Sequence, residues 1–328
     1  MKTTVGRSQI VPDIFTIREA QKFLAKYFAP TRLIAAPFLS QRTGKSVYLK
    51  LEMELPTGSF KVRGAVYALA QRMNRGPIEE VVACSTGNHG AAVAYAAKQS
   101  GIKAKIFLPT NCNPVKRGRI AALGAAIVES GGSDLASALT LAAEYAKQPG
   151  VFFLNDATDE DLPAGPATIG CEILEQLPET NAIVVPMGDT ALIRGIAAAA
   201  KQMAPQVKII GVQAEGAPSY YLSWKEGKVV GTETCDTIAD GLATRTPVAA
   251  NVREVKNLVD DVVLVSEEQM LRAIGTLLVE EHVLAEPAGA ASTAAFLNGD
   301  IECGDHAALV VSGANISREV LRQAISNM

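Results

Sequence analysis

The stretch VVACSTGNHGAAVAYAAKQSG, residues 81–101, changes its pattern twice. Val81 to Cys84 is a short apolar run with β-branched residues, which reads as a buried strand. Ser85 to Gly90 is a polar turn containing glycine, and the alanine-rich pattern that follows reads as a helix ending at Gly101. Strand, tight turn and helix in that order open a βα unit of a parallel sheet. The same rhythm continues through KAKIFLP, AAIVES, the helical DLASALTLAAEYAKQ and VFFLN, to about Asn155. A second series starts with AIVVP (182–186), enters a helix from about Thr190, and passes through KIIGVQ and DVVLV. It then reaches SEEQMLRAIGTLLVEE, where Ser266 and Gln269 stand at capping-box spacing, and ends on ALVVS (308–312). The expected architecture is α/β, with two open twisted parallel sheets. Residues 80–155 form the smaller domain, and 1–79 with 156–328 the larger one.

Composition narrows the function classes. Hydrophobic residues make up 48% and charged residues 20% of 328, values of a globular enzyme rather than a disordered chain. The net charge of −3 comes from 31 basic and 34 acidic residues without long runs of one sign, so neither nucleic acid nor a membrane surface is an expected partner. Five scattered cysteines without a C-x-x-C pair argue against a disulfide framework or thiolate zinc site. With no apolar leader or bilayer-length run, a cytoplasmic location is expected. Three dispersed histidines cannot make a histidine metal cluster, which moves the search for a catalytic base elsewhere.

Ligands of open α/β sheets gather beyond the carboxyl ends of strands. Three polar turns fall there: STGNHG (85–90), GDTALIRG (188–195) and SGAN (312–315). STGNHG opens a helix whose first N–H groups can hold a carboxylate, with Asn88 as a side-chain donor. TGSFKVRG (57–64) sets Lys61 beside Phe60, a flat apolar wall whose desolvating effect lowers an amine pKa and makes a nucleophile toward an aldehyde. A lone lysine is more often a solvated helix residue; its neighbours favour the nucleophile.

KLEMELPTGSFKVRGA, STGNHG, the turn at Gly188, TIADGLA, EPAGA and SGAN occur in this order and span nearly the whole chain. Together they resemble the serine/threonine dehydratase family of fold-type II pyridoxal-phosphate enzymes. The resemblance implies that Lys61 carries pyridoxal 5'-phosphate as a Schiff base, that Phe60 lies against its ring, and that Asn88 bonds the phenolic oxygen. Ser85, Thr86 and His89 then receive the substrate carboxylate, Ser312 faces the ring nitrogen, and Gly241 and Glu286 lie near the reacting centre. It implies β-elimination from a 3-hydroxy amino acid such as L-threonine or L-serine, with 3-hydroxyaspartate or a bulkier 3-hydroxy amino acid as the alternative substrate, and a homodimer or larger homo-oligomer as the assembly. The C-terminal regulatory domain of biosynthetic threonine dehydratases is not expected.

The phosphate turn departs from the pattern, which has a run of glycines where Gly188, Asp189, Thr190 and Ala191 stand here. A carboxylate aimed at a phosphate repels it. Asp189 is therefore expected to turn away and cap the helix, leaving Gly188, Thr190, Ala191 and the following Leu192 as the cradle. RTGKS (42–46) lacks the first glycine of a P-loop and is set aside. Rivals are a racemase, in which Thr86 stands where related racemases use a serine; a β-replacement enzyme; and a non-catalytic amino-acid sensor, disfavoured because Lys61, Asn88 and Ser312 are intact. Related enzymes hold a divalent cation with carboxylates at the positions of Gln213 and Ser219; Glu215 lies nearby but off register, so no metal site is expected.

Overall fold

The computed structural model describes residues 11–85, 87–110, 114–132, 135–299 and 301–326. Among the described residues, ten strands form two sheets. The larger contains β1 (Leu33–Ala35), β2 (Ser46–Leu51), β7 (Ala182–Pro186), β8 (Lys208–Ala214), β9 (Asp261–Val265) and β10 (His306–Val311). Its order is β1-β2-β10-β7-β8-β9, parallel except for β1 against β2. The smaller contains β3 (Glu80–Cys84), β4 (Lys103–Leu108), β5 (Ala126–Glu129) and β6 (Val151–Phe153), all parallel in the order β5-β4-β3-β6. The antiparallel β1–β2 pair is not apparent in the βα rhythm, because it precedes the alternating series.

Each sheet is buried through its own apolar strands. Leu49, Val184, Val212 and Leu309 share one cluster on the larger sheet. On the smaller, Val81, Ala83 and Ile106 pack with Ala92 and Val93 of the helix Asn88–Ser100 and with Val62, Val66 and Leu69 of the helix Lys61–Asn74. Alanines let the Asn88–Ser100 helix sit close to the strands, and Gly101 ends it at φ 70. Ser266 and Gln269 make the expected reciprocal capping box.

The helix that begins at Lys61 is fixed by a buried ionic network two residues along. Arg63 donates to both oxygens of Glu52, at 2.8 and 2.9 Å, and to both oxygens of Glu172, at 2.5 and 2.8 Å. Lys50 reaches the same Glu172 at 2.6 Å, and Thr31 bonds Glu52. Burial opposes the Arg63 charge, but the two carboxylates more than compensate and raise its pKa. The network ties the Lys61–Asn74 helix to the helix Ala164–Gln176 and to the end of β2. Four of the turns that line the site follow the carboxyl ends of β3, β6, β7 and β10, where an open α/β sheet places its ligands.

Truncating Arg63 leaves Glu52 without its hydrogen-bonded cation, and Glu172 with Lys50 alone, in a dry interior, a loss of about 3–5 kcal/mol. Arg63→Ala is therefore expected to lower the urea-unfolding free energy by that amount. A loss below about 1 kcal/mol, the level of an exposed pair, would show that the network does not anchor this helix.

Candidate active site

Backbone pairing between distant parts of the chain builds the floor of the site. Phe60 N–H donates to Ser312 O at 3.0 Å, Ala314 N–H donates to Gly58 O at 3.0 Å, and Ser59 and Gly313 form a bridge. This clamps TGSFK to SGAN. Lys61, the first residue of its helix, projects into a cavity of about 140 Å³. Phe60 closes one side, with its ring centre 5.4 Å from Lys61 Nζ.

The other expected residues reach the same cavity from five segments of the chain. Ser85, Asn88 and His89 come from the turn after β3, and Gly188, Asp189, Thr190, Ala191 and Leu192 from the turn after β7. Gly241 comes from the loop 240–242, while Glu286 and the nearly buried Ser312 complete the wall. Thr86 lies outside the described residues.

Hydrogen bonds join several of these groups. Asn88 Nδ2 donates to Glu286 Oε1 at 2.6 Å, while Asn88 Oδ1 accepts from Asn315 Nδ2 at 2.6 Å. Asn315 N–H donates to Glu286 Oε2 at 3.0 Å, closing a ring of three residues. Among the described residues no side chain caps the helix Asn88–Ser100, so its first N–H groups remain suited to an anion. His89 Nε2 lies 2.9 Å from Leu154 O. Because a carbonyl only accepts, Nε2 carries the hydrogen; in the neutral ring Nδ1 is then an acceptor, and it has no hydrogen-bond partner among the described residues. Burial, together with the nearby Lys61 charge, keeps His89 below the usual imidazole range.

Lys61 is not the low-pKa amine its apolar neighbour suggested. Burial pulls the pKa down, but Asp156, Asp189 and Glu286 pull harder, and the net shift is upward. Lys61 Nζ donates to Asp156 Oδ2 at 2.5 Å. Burial also works against the Asp156 charge, yet His89, when protonated, and Lys61 hold this carboxyl below the usual carboxylate range. Sequence reasoning missed Asp156 and Asn315. The available signals were an aspartate just beyond the strand VFFLN and the last residue of SGAN.

The phosphate turn also differs from expectation. Thr190, not Asp189, is the N-cap of the helix Ala191–Met203, in a left-handed conformation at φ 72, and among the described residues no side chain caps the helix. Asp189 stands one residue too early to reach the N2 and N3 amides that a capping side chain serves. Its Oδ1 accepts from Thr244 Oγ1 at 3.1 Å instead, and the carboxyl remains in the cavity wall. Burial first, and repulsion from Asp156 second, raise its pKa to about 6. The Thr190 hydroxyl donates to Asp189 O at 2.6 Å, so it is not the spare phosphate donor that the sequence suggested.

These features fit a phosphorylated aromatic aldehyde. A primary amine faces an apolar wall at one end, and an uncapped helix N-terminus offers backbone N–H groups to a phosphate at the other. At Gly188 a Cβ would stand 2.1 Å from Gly241 O, so only glycine permits this close turn. Away from the cavity, Gln213 Oε1 accepts from Tyr221 N–H at 2.8 Å, Ser219 Oγ donates to Thr244 O at 2.6 Å, and Glu215 is exposed. Among the described residues no three His, Cys, Asp or Glu side chains gather as metal ligands.

Comparison with known proteins agrees with this chemistry. The family model described as "Pyridoxal-phosphate dependent enzyme" matches residues 24–313. L-threonine ammonia-lyase of Thermotoga maritima is 38% identical over 94% of this chain and 77% of its own length. The enzyme of the same name from Geobacter sulfurreducens is 36% identical, over 92% and 75%. Among solved structures, the processed form of threonine deaminase isoform 2 from Solanum lycopersicum superposes with a TM-score of 0.88 at 30% identity, covering 97% of this chain and 95% of that one. Maize serine racemase gives a TM-score of 0.89 at 30% identity, covering 96% and 97%. With the family model spanning both sheets and every turn that lines the cavity, the chain belongs to the pyridoxal-phosphate dependent enzymes and has their fold-type II architecture.

Proposed function

We propose that this enzyme removes water from L-threonine or L-serine, the product hydrolysing to a 2-oxo acid and ammonia. The observation that carries this reading is Lys61 Nζ in a cavity shared with Asn88, the uncapped turn at Gly188 and Ser312. The likeness to L-threonine ammonia-lyases over most of the chain supports the same choice of substrate. Pyridoxal phosphate, when bound, supplies an aldehyde that captures the amino acid and a ring that takes up the electron pair left on the α carbon.

The chain's own residues do the rest. Lys61 is the covalent anchor and, once displaced, the base that takes the α-proton at Nζ. Phe60 is the wall against the ring, and Asn88, held by Glu286 and Asn315, is the partner of the phenolic oxygen. The N–H groups of Gly188, Thr190, Ala191 and Leu192 are the phosphate cradle, with Gly241 behind them. Ser85, Thr86 and the helix N-terminus at Asn88 and His89 receive the substrate carboxylate. Ser312, a neutral partner for the ring nitrogen, disfavours complete charge separation and so favours prompt loss of the β-hydroxyl.

Three wider readings belong with this one. The expected cytoplasmic site is supported by the scatter of the five cysteines along the sequence, with no C-x-x-C pair. No described helix is long and apolar enough to cross a membrane. The family resemblance supports a homodimer or larger homo-oligomer, which light scattering on the purified protein measures. Gln213 and Ser219, both spent on neutral hydrogen bonds, support turnover without a divalent cation.

Lys61→Ala is expected to lower 2-oxo acid formation about ten-thousand-fold or more while leaving the circular dichroism spectrum unchanged. Borohydride reduction of the wild type followed by peptide mapping is expected to place the cofactor on Lys61; finding it on another lysine overturns the assignment. Chiral chromatography in the same assay separates elimination from racemisation, since appreciable D-amino acid would favour the racemase reading.

Exhaustive chelation is expected to leave the rate unaltered, with no gain on adding magnesium or calcium. A large reversible activation would contradict the metal-free reading.

A further inference from the structure

The loop after β6 places one carboxylate between the cavity's amine and its imidazole. Asp156 Oδ2 accepts from Lys61 Nζ at 2.5 Å and lies 3.9 Å from His89 Nδ1. The bond from His89 Nε2 to Leu154 O, made in the same loop, turns the unpartnered Nδ1 lone pair toward Asp156. The carboxylate that accepts from the ammonium thus also stands beside the imidazole. The other carboxylates near Nζ have their own hydrogen-bond donors: Thr244 for Asp189, and Asn88 with Asn315 for Glu286.

We propose that Asp156 is a positioning residue that sets the proton affinity of Lys61. This rests on the reading of Lys61 as the cofactor-bearing base. The groups that face Lys61 are Asp156 after β6, Asp189 before the helix Ala191–Met203, Glu286 before the helix Pro287–Asn298, and His89. Those that face Asp156 are Lys61, His89, Asp189 and the Cys84 thiol at the end of β3. Of the groups that face Asp156, Lys61 is the cation when His89 is neutral, so removal of Asp156 acts on Lys61 first.

Two consequences of opposite sign follow. An amine must be neutral to add to an aldehyde, so a carboxylate that keeps Lys61 as ammonium slows cofactor capture at neutral pH. During turnover the substrate's α C–H bond breaks, its electron pair remains on the carbon, and its proton joins the Nζ lone pair. Asp156 then stabilises the ammonium just formed and makes Lys61 the stronger base. A purely structural residue would move loading and turnover in the same direction.

The test replaces Asp156 with the uncharged Asn. In cofactor-free protein, trace labelling with acetic anhydride over a pH series, read by peptide mass spectrometry, gives the pH midpoint for Lys61. Asp156→Asn is expected to lower that midpoint by at least about one unit, which makes Lys61 about tenfold more reactive at neutral pH. Pyridoxal phosphate uptake, followed by absorbance, should accelerate, and kcat for 2-oxo acid formation should fall several-fold, up to about the tenfold that one unit of basicity is worth. Asp156→Glu, which restores the charge, is expected to return the midpoint toward wild type. If the Asn variant does not fold, Asp156→Ser carries the same expectation. An unchanged midpoint, or loading and turnover both slowed, overturns the proposal. If borohydride mapping placed the cofactor on another lysine, the functional reading would fail, whereas the labelling midpoint would still report whether Asp156 controls Lys61.

Discussion

The grip of Arg63 on Glu52 and Glu172 is the constraint on which the site depends. A reactive lysine at a helix N-terminus needs that terminus held still, and the first turn of a helix has few backbone hydrogen bonds of its own. Arg63 supplies the anchorage two residues from Lys61, from a fully buried position and through bonds to both oxygens of each carboxylate. Bidentate geometry restricts direction as well as distance. The Lys61 side chain therefore starts from a defined place, and the clamp between Gly58–Phe60 and Ser312–Ala314 fixes the opposite side of the same turn.

Much of this fold could be read from local pattern. A β-branched run followed by a glycine turn and an alanine-rich helix has few other solutions, which is why Val81 to Gly101 falls into strand, turn and helix as expected. The capping box at Ser266 is equally local. Order along the larger sheet is not local. β10 lies between β2 and β7, strands far from it in sequence, and no short window contains that pairing.

The site divides the same way. Lys61, Asn88, Gly188 and Ser312 were legible because each stands in a motif with a recognisable composition of small and polar residues. Asp156 was not, because its partner is 95 positions away and only the folded chain brings the two to hydrogen-bond distance. Asp189 misled for a different reason: an aspartate before a helix suggests a cap, but the left-handed turn at Thr190 takes the capping position itself. The direction of the Lys61 shift failed likewise, since an aromatic neighbour in sequence says nothing about the carboxylates that arrive from three other elements.

The central place of β10 also governs the order in which the molecule can be assembled as it is made. The small sheet is built entirely from residues 80–153, so all its strands are synthesised well before β10 exists. The large sheet cannot close until β10 inserts between β2 and β7, two strands made much earlier. SGAN follows that strand directly, and it is the piece that clamps TGSFK. The floor of the cavity thus waits for the last strand of the large sheet, and a nascent chain carries Lys61 through a long stretch of synthesis without the clamp that positions it.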